Sequence, residues 1–145
     1  YTGEDTLSLH DALPILEEKG GQGWLNGDRG EFIARYPGVR HRPDGIITLD
    51  SGAIVAVETE RSMKTRARYI NIINSHLAAS DAGRWHYAMY VMPDDKTKTS
   101  LIRLFDSIKS VMRNNVPVPF DAKNREMFLF RTIDELEQAA ASGGQ

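Results

Sequence analysis

Two neighbouring stretches of the chain are dominated by apolar residues and are separated by a short polar turn. Residues 42–49 contain GIITL and residues 53–60 contain AIVAV, and both are rich in the β-branched residues that strands favour. Asp50, Ser51 and Gly52 lie between them and are typical turn residues, because glycine and short polar side chains tolerate the backbone angles of tight turns. The pattern predicts a β-hairpin of two largely buried strands.

Elsewhere, apolar residues recur every three or four positions, which is the period of an amphipathic helix. Strands that alternate with such helices favour an α/β fold whose sheet is partly parallel, with the hairpin as its antiparallel portion. The predicted elements are a helix over residues 24–36, the hairpin, a helix over residues 63–79 capped by Ser62, a strand over residues 84–92, a helix over residues 101–112, a loop over residues 114–119, a strand over residues 127–130 and a last helix that begins at a capping box of Thr132 and Glu135.

The first fifteen residues stand apart from this pattern. Residues 6–15 read TLSLHDALPI, which matches the translation of a short-read sequencing adapter. We therefore expect residues 1–15 to be a non-native, adapter-derived segment, with a natural amphipathic N-terminus as the alternative. On this interpretation residues 16–138 are a single domain, the C-terminal part of a longer protein, and residues 139–145 are a flexible tail.

Composition narrows the classes of function. The 145 residues are 41% hydrophobic and 26% charged, which is typical of a globular domain. The chain has no cysteine, which excludes disulfides, thiolate zinc sites and a cysteine nucleophile. The absence of cysteine fits a reducing cytosol, so we expect a cytoplasmic protein. No apolar run is long enough to cross a bilayer, so we expect no membrane partner. A net charge of −2 excludes a uniformly basic nucleic-acid binder, so any contact with DNA must depend on a local patch.

The candidate chemistry concentrates in the hairpin and just after it. The predicted turn places Asp44 opposite Glu58, within one residue of register. Glu58 and Glu60 share a face because side chains alternate along a strand, so the hairpin gathers three carboxylates. Such oxygen ligands suit Mg²⁺ or Mn²⁺, and Lys64, four residues after Glu60, is placed to reach the same cluster. The alternative is a solvated strand face whose glutamates pair with Arg61 and Lys64.

A run of basic residues follows the hairpin. Arg61, Lys64, Arg66 and Arg68 fall within the eight positions after Glu60. Positive potential beside carboxylates suits a phosphate backbone, which makes these four residues candidates for DNA binding. A polar helix face that balances nearby acids is the alternative interpretation.

Several motifs in this region resemble known families. HRPDGII, VAVETERSMKTRARYINII and WHYAMYVMP together resemble the MobC-type replication-relaxation family, and the PD and ETE pieces resemble the wider PD-(D/E)XK nuclease superfamily. The resemblance covers roughly residues 24–113. It implies a restriction-endonuclease-like core: a mixed sheet with a central hairpin flanked by helices. It also implies action on DNA at transfer or replication origins, with other relaxosome or replication proteins as partners.

The superfamily pattern assigns roles to the hairpin residues. By match, Asp44 and Glu58 bind the metal, and Glu60 stands where the superfamily has the lysine that assists hydrolysis. Lys64, one helical turn further on, is a substitute for that lysine. The departure leaves two functions open, a metal-dependent DNA nicking enzyme and a catalytically inactive accessory module that binds DNA or another protein.

Three further residues are candidates that each have an ordinary structural alternative. Tyr69 is either a relaxase-type nucleophile or a core residue with its hydroxyl at the rim. His41 either lies near the metal or caps a strand, and Glu31 either matches a helix glutamate near the metal or is solvated. His76 follows the helical spacing with an exposed position expected. No histidine pair has the spacing of a zinc site, so no zinc site is expected.

Overall fold

The computed structural model describes residues 24–26 and 30–143, so the predicted adapter-derived segment over residues 1–15 lies outside the described residues. The elements in chain order are β1 (Trp24–Asn26), α1 (Gly30–Arg35), β2 (Gly45–Thr48), β3 (Ile54–Thr59), α2 (Arg66–Asp81), β4 (Tyr87–Met92), α3 (Asp95–Ser107), β5 (Ser110–Arg113), β6 (Val116–Pro119), α4 (Ala122–Arg125), β7 (Phe128–Thr132) and α5 (Ile133–Gly143).

Within this part of the chain, five strands form a mixed sheet in the order β1-β2-β3-β4-β7. β2 is antiparallel to both β1 and β3, whereas β3, β4 and β7 run parallel. Parallel neighbours need a crossover connection, which α2 supplies between β3 and β4. The predicted α/β class is confirmed, with a mixed sheet flanked by helices, and the antiparallel part of the sheet consists of the hairpin together with β1.

The register of the β2–β3 hairpin sets the position of the candidate carboxylates. The last observed pair is Gly45 with Val57, and the next residues beyond it are Asp44 on one strand and Glu58 on the other. The amide of Asp44 donates a hydrogen bond to the carbonyl of Val57 at 3.0 Å. The expected position of Asp44 opposite Glu58 is therefore confirmed to within one residue of register.

Both faces of the sheet are buried. The larger core lies on the face of Ala56 and includes Tyr69 from α2 and Phe105 from α3. The smaller core lies on the opposite face, where Val57 packs in a cluster with Leu136 of α5. Burial on both faces explains why the strand sequences are almost continuously apolar.

Helix boundaries near the hairpin differ from the predicted ones. The predicted helix over residues 24–36 is instead β1 followed by the short α1. The helix after the hairpin begins at Arg66, because Thr65 rather than Ser62 is its N-cap. The Thr65 hydroxyl accepts a hydrogen bond from the amide of Arg68 at 3.2 Å, which satisfies one of the free donors of the first turn.

The predicted helix over residues 101–112 is wrong at its end. α3 ends at Ser107 and the last positions of the predicted range lie in β5. Asn114 and Asn115 both have positive φ, which a tight two-residue hairpin turn requires and asparagine tolerates. Residues 114–119, predicted as a loop, therefore form this turn and β6.

The capping box at the last helix is confirmed. The amide of Thr132 donates to Oε1 of Glu135, and the amide of Glu135 donates to Oγ1 of Thr132, both at 3.0 Å. α5 continues to Gly143, so most of the predicted tail over residues 139–145 is helical. None of the helices in the described ranges is long and apolar enough to cross a membrane.

Candidate functional site

The end of the sheet at which β3 finishes carries the three predicted carboxylates. Glu58 is the last residue but one of β3 and Glu60 follows the strand, and their exposed fractions are only 6% and 3%. Both are placed on the face of Ala56 by the alternation of side chains, so a solvated strand face is wrong for them. We call Asp44, Glu58 and Glu60, with the residues that contact them, the carboxylate end.

Glu58 is held by two histidines from different segments. Its Oε2 lies 2.6 Å from Nε2 of His41, which precedes β2, and 2.8 Å from Nε2 of His76 on α2. Burial would raise the pKa of Glu58, but the hydrogen bonds from His41 and His76 outweigh it and lower the pKa from 4.5 to about 2. Glu58 is therefore an anion inside the protein at neutral pH.

His76 is fully buried, which corrects the exposed position expected from the helical spacing. Its Nδ1 accepts a hydrogen bond from Nε1 of the buried Trp85 at 3.2 Å. The ligand atoms of His41, Glu58 and His76 all lie within 4.8 Å of one another. Spacing rules could not find this group, because its two histidines come from separate segments that only the fold brings together.

Asp44 is exposed and is anchored to β3 instead of to the histidines. Its Oδ2 accepts hydrogen bonds from the amide of Thr59 at 2.7 Å and from the hydroxyl of Thr59 at 2.9 Å. Asp44 is not a member of the group formed by His41, Glu58 and His76. Within the described residues, Oδ1 of Asp44 and Oε1 of Glu58 make no hydrogen bond.

Lys64 makes the expected contact with the carboxylates. Its Nζ lies 2.8 Å from both carboxylate oxygens of Glu60. The lysine side chain is 32% exposed and the glutamate side chain 4%, so the pair lies at the boundary between core and solvent. Lys64 therefore balances the charge of the second buried glutamate.

Tyr69 lies in the core, which is the structural alternative to a nucleophile. It is fully buried, and its hydroxyl accepts a hydrogen bond from the amide of Lys64 at 3.2 Å. Burial raises the pKa of Tyr69, and Glu60 raises it further, so the hydroxyl stays protonated. A nucleophile for a DNA phosphate would need an accessible, activated oxygen.

Tyr90 was not singled out by the sequence, yet it neighbours Glu58 across the β3–β4 pair. Its hydroxyl is buried and has no hydrogen-bond partner among the described residues. Burial, and after it the charge of Glu58, raises the pKa of Tyr90 well above its usual value. Buried hydroxyls normally have a partner, so this one marks a place where a water or ligand would complete the hydrogen bonding.

The predicted DNA-binding arginines are all exposed. Nη2 of Arg66 donates to the carbonyl of Ser107 at 2.5 Å, whereas the guanidinium groups of Arg61 and Arg68 have no hydrogen bond or ion pair with any described residue. Glu31 is exposed on α1, and its carboxylate likewise makes no hydrogen bond or ion pair in the described ranges. Among the described residues, Arg66 is therefore partly committed to the fold, whereas Arg61 and Arg68 are not.

Two more arginines at this end were missed by sequence reasoning. Arg40 and Arg42 are exposed and form no ion pair with the part of the chain described. They precede β2 and lie two and four residues before Asp44 in the chain. Their position beside the Pro-Asp motif was the available signal. We call Arg40, Arg42, Arg61 and Arg68 the arginine rim.

Comparison of the chain with models of protein families, with curated proteins and with solved structures gives no match. The functional interpretation therefore depends on the chemistry and placement of these residues.

Proposed function

We propose that the chain binds DNA at the carboxylate end of a restriction-endonuclease-like core, as a cytoplasmic component of plasmid mobilisation or replication. The observation that carries the proposal is the arginine rim, whose four exposed guanidinium groups lack ion pairs with the described residues and belong to the segments that adjoin Asp44 and Glu60 in the chain. Guanidinium groups bind phosphate oxygens with two parallel hydrogen bonds, and unpaired ones can do so without first breaking an internal ion pair.

The order of elements supports the restriction-endonuclease-like interpretation. β1, β2 and β3 form an antiparallel unit, α2 crosses over, and β4 returns parallel to β3. Asp44 directly precedes β2 and Glu58 lies near the end of β3, so both are at the open end of the β2–β3 hairpin, where Asp44 bonds Thr59, the residue after Glu58. This is where the resemblance to the PD-(D/E)XK superfamily expects the metal-binding carboxylates.

The donor set at this position fits a hard divalent cation such as Mg²⁺ or Mn²⁺. Asp44 and Glu58 each have one oxygen fixed by hydrogen bonds and one oxygen that makes none within the described residues. Mg²⁺ is usually bound by one or two carboxylates and several waters. The unpartnered hydroxyl of Tyr90, whose strand position pairs with Glu58, would be a further polar group near such a site. A cation held by Asp44 and Glu58 would polarise a phosphodiester and acidify a bound water.

DNA binding is the function that the geometry supports best, and metal-dependent nicking is the second candidate. The uncommitted oxygens of Asp44 and Glu58 favour nicking. However, Glu60 stands in the position of the superfamily lysine, and the ammonium group of Lys64 is held by both oxygens of Glu60. An accessory module that acts with other relaxosome or replication proteins needs the rim but not a free lysine.

DNA binding is tested by gel shift of the full chain over a series of salt concentrations, on duplexes with and without a candidate transfer origin. We expect an affinity that falls steeply as salt rises, because each phosphate contact releases counterions. Absence of binding, or binding that salt does not weaken, would contradict the proposal.

Nicking is tested on supercoiled plasmid in Mg²⁺ or Mn²⁺ against EDTA. We expect any nicking to require metal and to disappear in Asp44→Asn. The matched control is Asp121→Asn, since Asp121 is an exposed aspartate that caps α4 through the amide of Asn124. Nicking that survives in Asp44→Asn, or in EDTA, would remove the second function and leave DNA binding in place.

A further inference from the structure

A continuous row of hydrogen bonds runs from the larger core to the surface at the carboxylate end. Nε1 of Trp85 lies 3.2 Å from Nδ1 of His76, and Nε2 of His76 lies 2.8 Å from Oε2 of Glu58. Nε2 of His41 lies 2.6 Å from the same oxygen. Trp85 and His76 are 1% and 0% exposed, whereas the side chain of His41 is 25% exposed.

The hydrogen-bond partners of His76 determine which of its ring nitrogens carries the proton. An indole N–H can only donate, so Nδ1 of His76 must accept with its lone pair. A neutral imidazole then carries its proton on Nε2, which donates to the carboxylate of Glu58. A proton on Nδ1 would face the Trp85 N–H with no acceptor between them, so the hydrogen bond from Trp85 requires Nδ1 to carry no proton.

This assignment bears directly on metal binding by His41, Glu58 and His76. Their ligand atoms are close enough for a centre with two histidines and one carboxylate. A histidine that binds metal through Nε2 needs its lone pair there, and its Nδ1–H normally donates to an acceptor. Trp85 presents a donor to Nδ1 instead, so metal could bind Nε2 only if the Trp85 hydrogen bond broke or His76 lost both ring protons.

We infer that Trp85 is a specificity-determining residue. Its hydrogen bond to Nδ1 keeps His76 as a donor to Glu58 and so prevents the His41–Glu58–His76 cluster from binding zinc-class metals. His76 is then a positioning residue: it occupies one oxygen of Glu58 and leaves the other oxygen uncommitted. Zinc-class metals are a different class from the oxygen-ligated Mg²⁺ or Mn²⁺. The role of Trp85 is therefore independent of whether the chain binds DNA.

The position of the proton on His76 is first tested in the wild-type full chain by ¹⁵N-detected NMR of the histidine rings, which distinguishes the two neutral tautomers. We expect His76 to carry its proton on Nε2, and we expect the His76 signals to stay unchanged after one equivalent of Zn²⁺. A His76 ring protonated on Nδ1, or one ligated by Zn²⁺ in the wild type, would overturn the inference.

The second test removes the donor. Trp85→Phe keeps an aromatic ring but frees Nδ1 of His76 to carry the proton, which exposes the Nε2 lone pair. Titration with Zn²⁺, and with Co²⁺ as a spectroscopic substitute, is expected to show binding about 10–100-fold tighter than in the wild type. The gain should vanish in Trp85→Phe/His76→Gln and be absent in Trp24→Phe, the matched tryptophan control.

Equal zinc affinity in Trp85→Phe and the wild type would overturn the role assigned to Trp85. Circular dichroism establishes whether Trp85→Phe is folded. If it is not, the tautomer of His76 in the wild type decides the question, because that measurement requires no substitution.

Discussion

Charged side chains are treated differently in two regions of the molecule. At the carboxylate end, two glutamates are buried and the four arginines of the rim have no ion pair with the described residues. The other region consists of the β5–β6 hairpin and α4, which pack beside the end of α2, and we call it the hairpin corner. There Arg113 binds Asp81 through three hydrogen bonds of 2.7–3.1 Å and also donates to Asn124.

The two regions differ in which charged groups are paired within the fold. In the hairpin corner Arg125 also pairs with an acid, Asp106, so both arginines are satisfied within the fold. At the carboxylate end the acids Glu58 and Glu60 are instead satisfied by histidines and Lys64, which leaves the nearby arginines without partners among the described residues. The hairpin corner therefore matches its charges within the fold, whereas the arginine rim has no such match among the described residues.

The largest expected loss of stability comes from Glu58→Ala. The substitution leaves the fully buried Nε2–H of His76 without an acceptor, and we expect the free energy of unfolding to fall by about 3 kcal/mol. Urea denaturation of the variant and the wild type measures it. A loss well below about 1 kcal/mol would show that Glu58 does not hold the histidines together, and Asp44→Ala, at an exposed site, provides the comparison within the same hairpin.

The pH dependence of stability tests the same role of Glu58 without removing its side chain. The pKa of Glu58 is about 2 in the folded protein against 4.5 for an ordinary glutamate, so its stabilising effect is present above pH 4.5 and is lost as the pH falls towards 2. We expect the free energy of unfolding of the wild type to fall more steeply over this range than that of Glu58→Gln. Parallel curves for the two proteins would contradict the lowered pKa, since the other carboxyl groups titrate equally in both.

A smaller effect is expected from Arg113→Ala at the hairpin corner. The side chains of Arg113 and Asp81 are 29% and 25% exposed, so solvent screens the pair, but its geometry is bidentate. We expect a loss of about 1 kcal/mol in the free energy of unfolding and no change in DNA affinity. A change in DNA affinity at unaltered stability would show that the hairpin corner, too, binds DNA.

Features that depend on neighbours in sequence were predictable, and those that depend on distant segments were not. The hairpin and its register follow from an apolar pattern around Asp-Ser-Gly, and the contact of Lys64 with Glu60 follows from a separation of four residues. The shared face of Glu58 and Glu60 follows from strand alternation, but their burial follows from the packing of α2 and α3 on that face. His76 was misplaced because its partners, Glu58 and Trp85, are brought to it only by the fold.

Competing local signals in the sequence explain the remaining errors in the predicted helix boundaries. Thr65 and Ser62 are both acceptable N-caps. After β3 the chain still lies beside β4, because the amide of Glu60 donates to the carbonyl of Val91. The helix therefore begins later than the sequence predicts, with Thr65 as its N-cap. Val111 and Met112 fit a helical period as well as a strand. The turn at Asn114 and Asn115 decides in favour of the strand, and this two-asparagine signal was present in the sequence.

The smallest effect on stability, and the most informative one for function, is expected from Arg61→Gln/Arg68→Gln. Both guanidinium groups are exposed and lack described partners, so the free energy of unfolding should change by less than about 0.5 kcal/mol. DNA affinity should fall for all sequences alike, and the slope of log affinity against log salt should decrease by about 0.9 for each phosphate that the variant no longer neutralises. Lys123→Gln, an exposed lysine on α4 at the hairpin corner, is the matched control and should leave that slope unchanged. Equal slopes for the double variant and the wild type would show that the rim does not bind DNA; the lack of internal partners would then have no functional meaning, and the contrast between the two regions would reduce to a difference in packing.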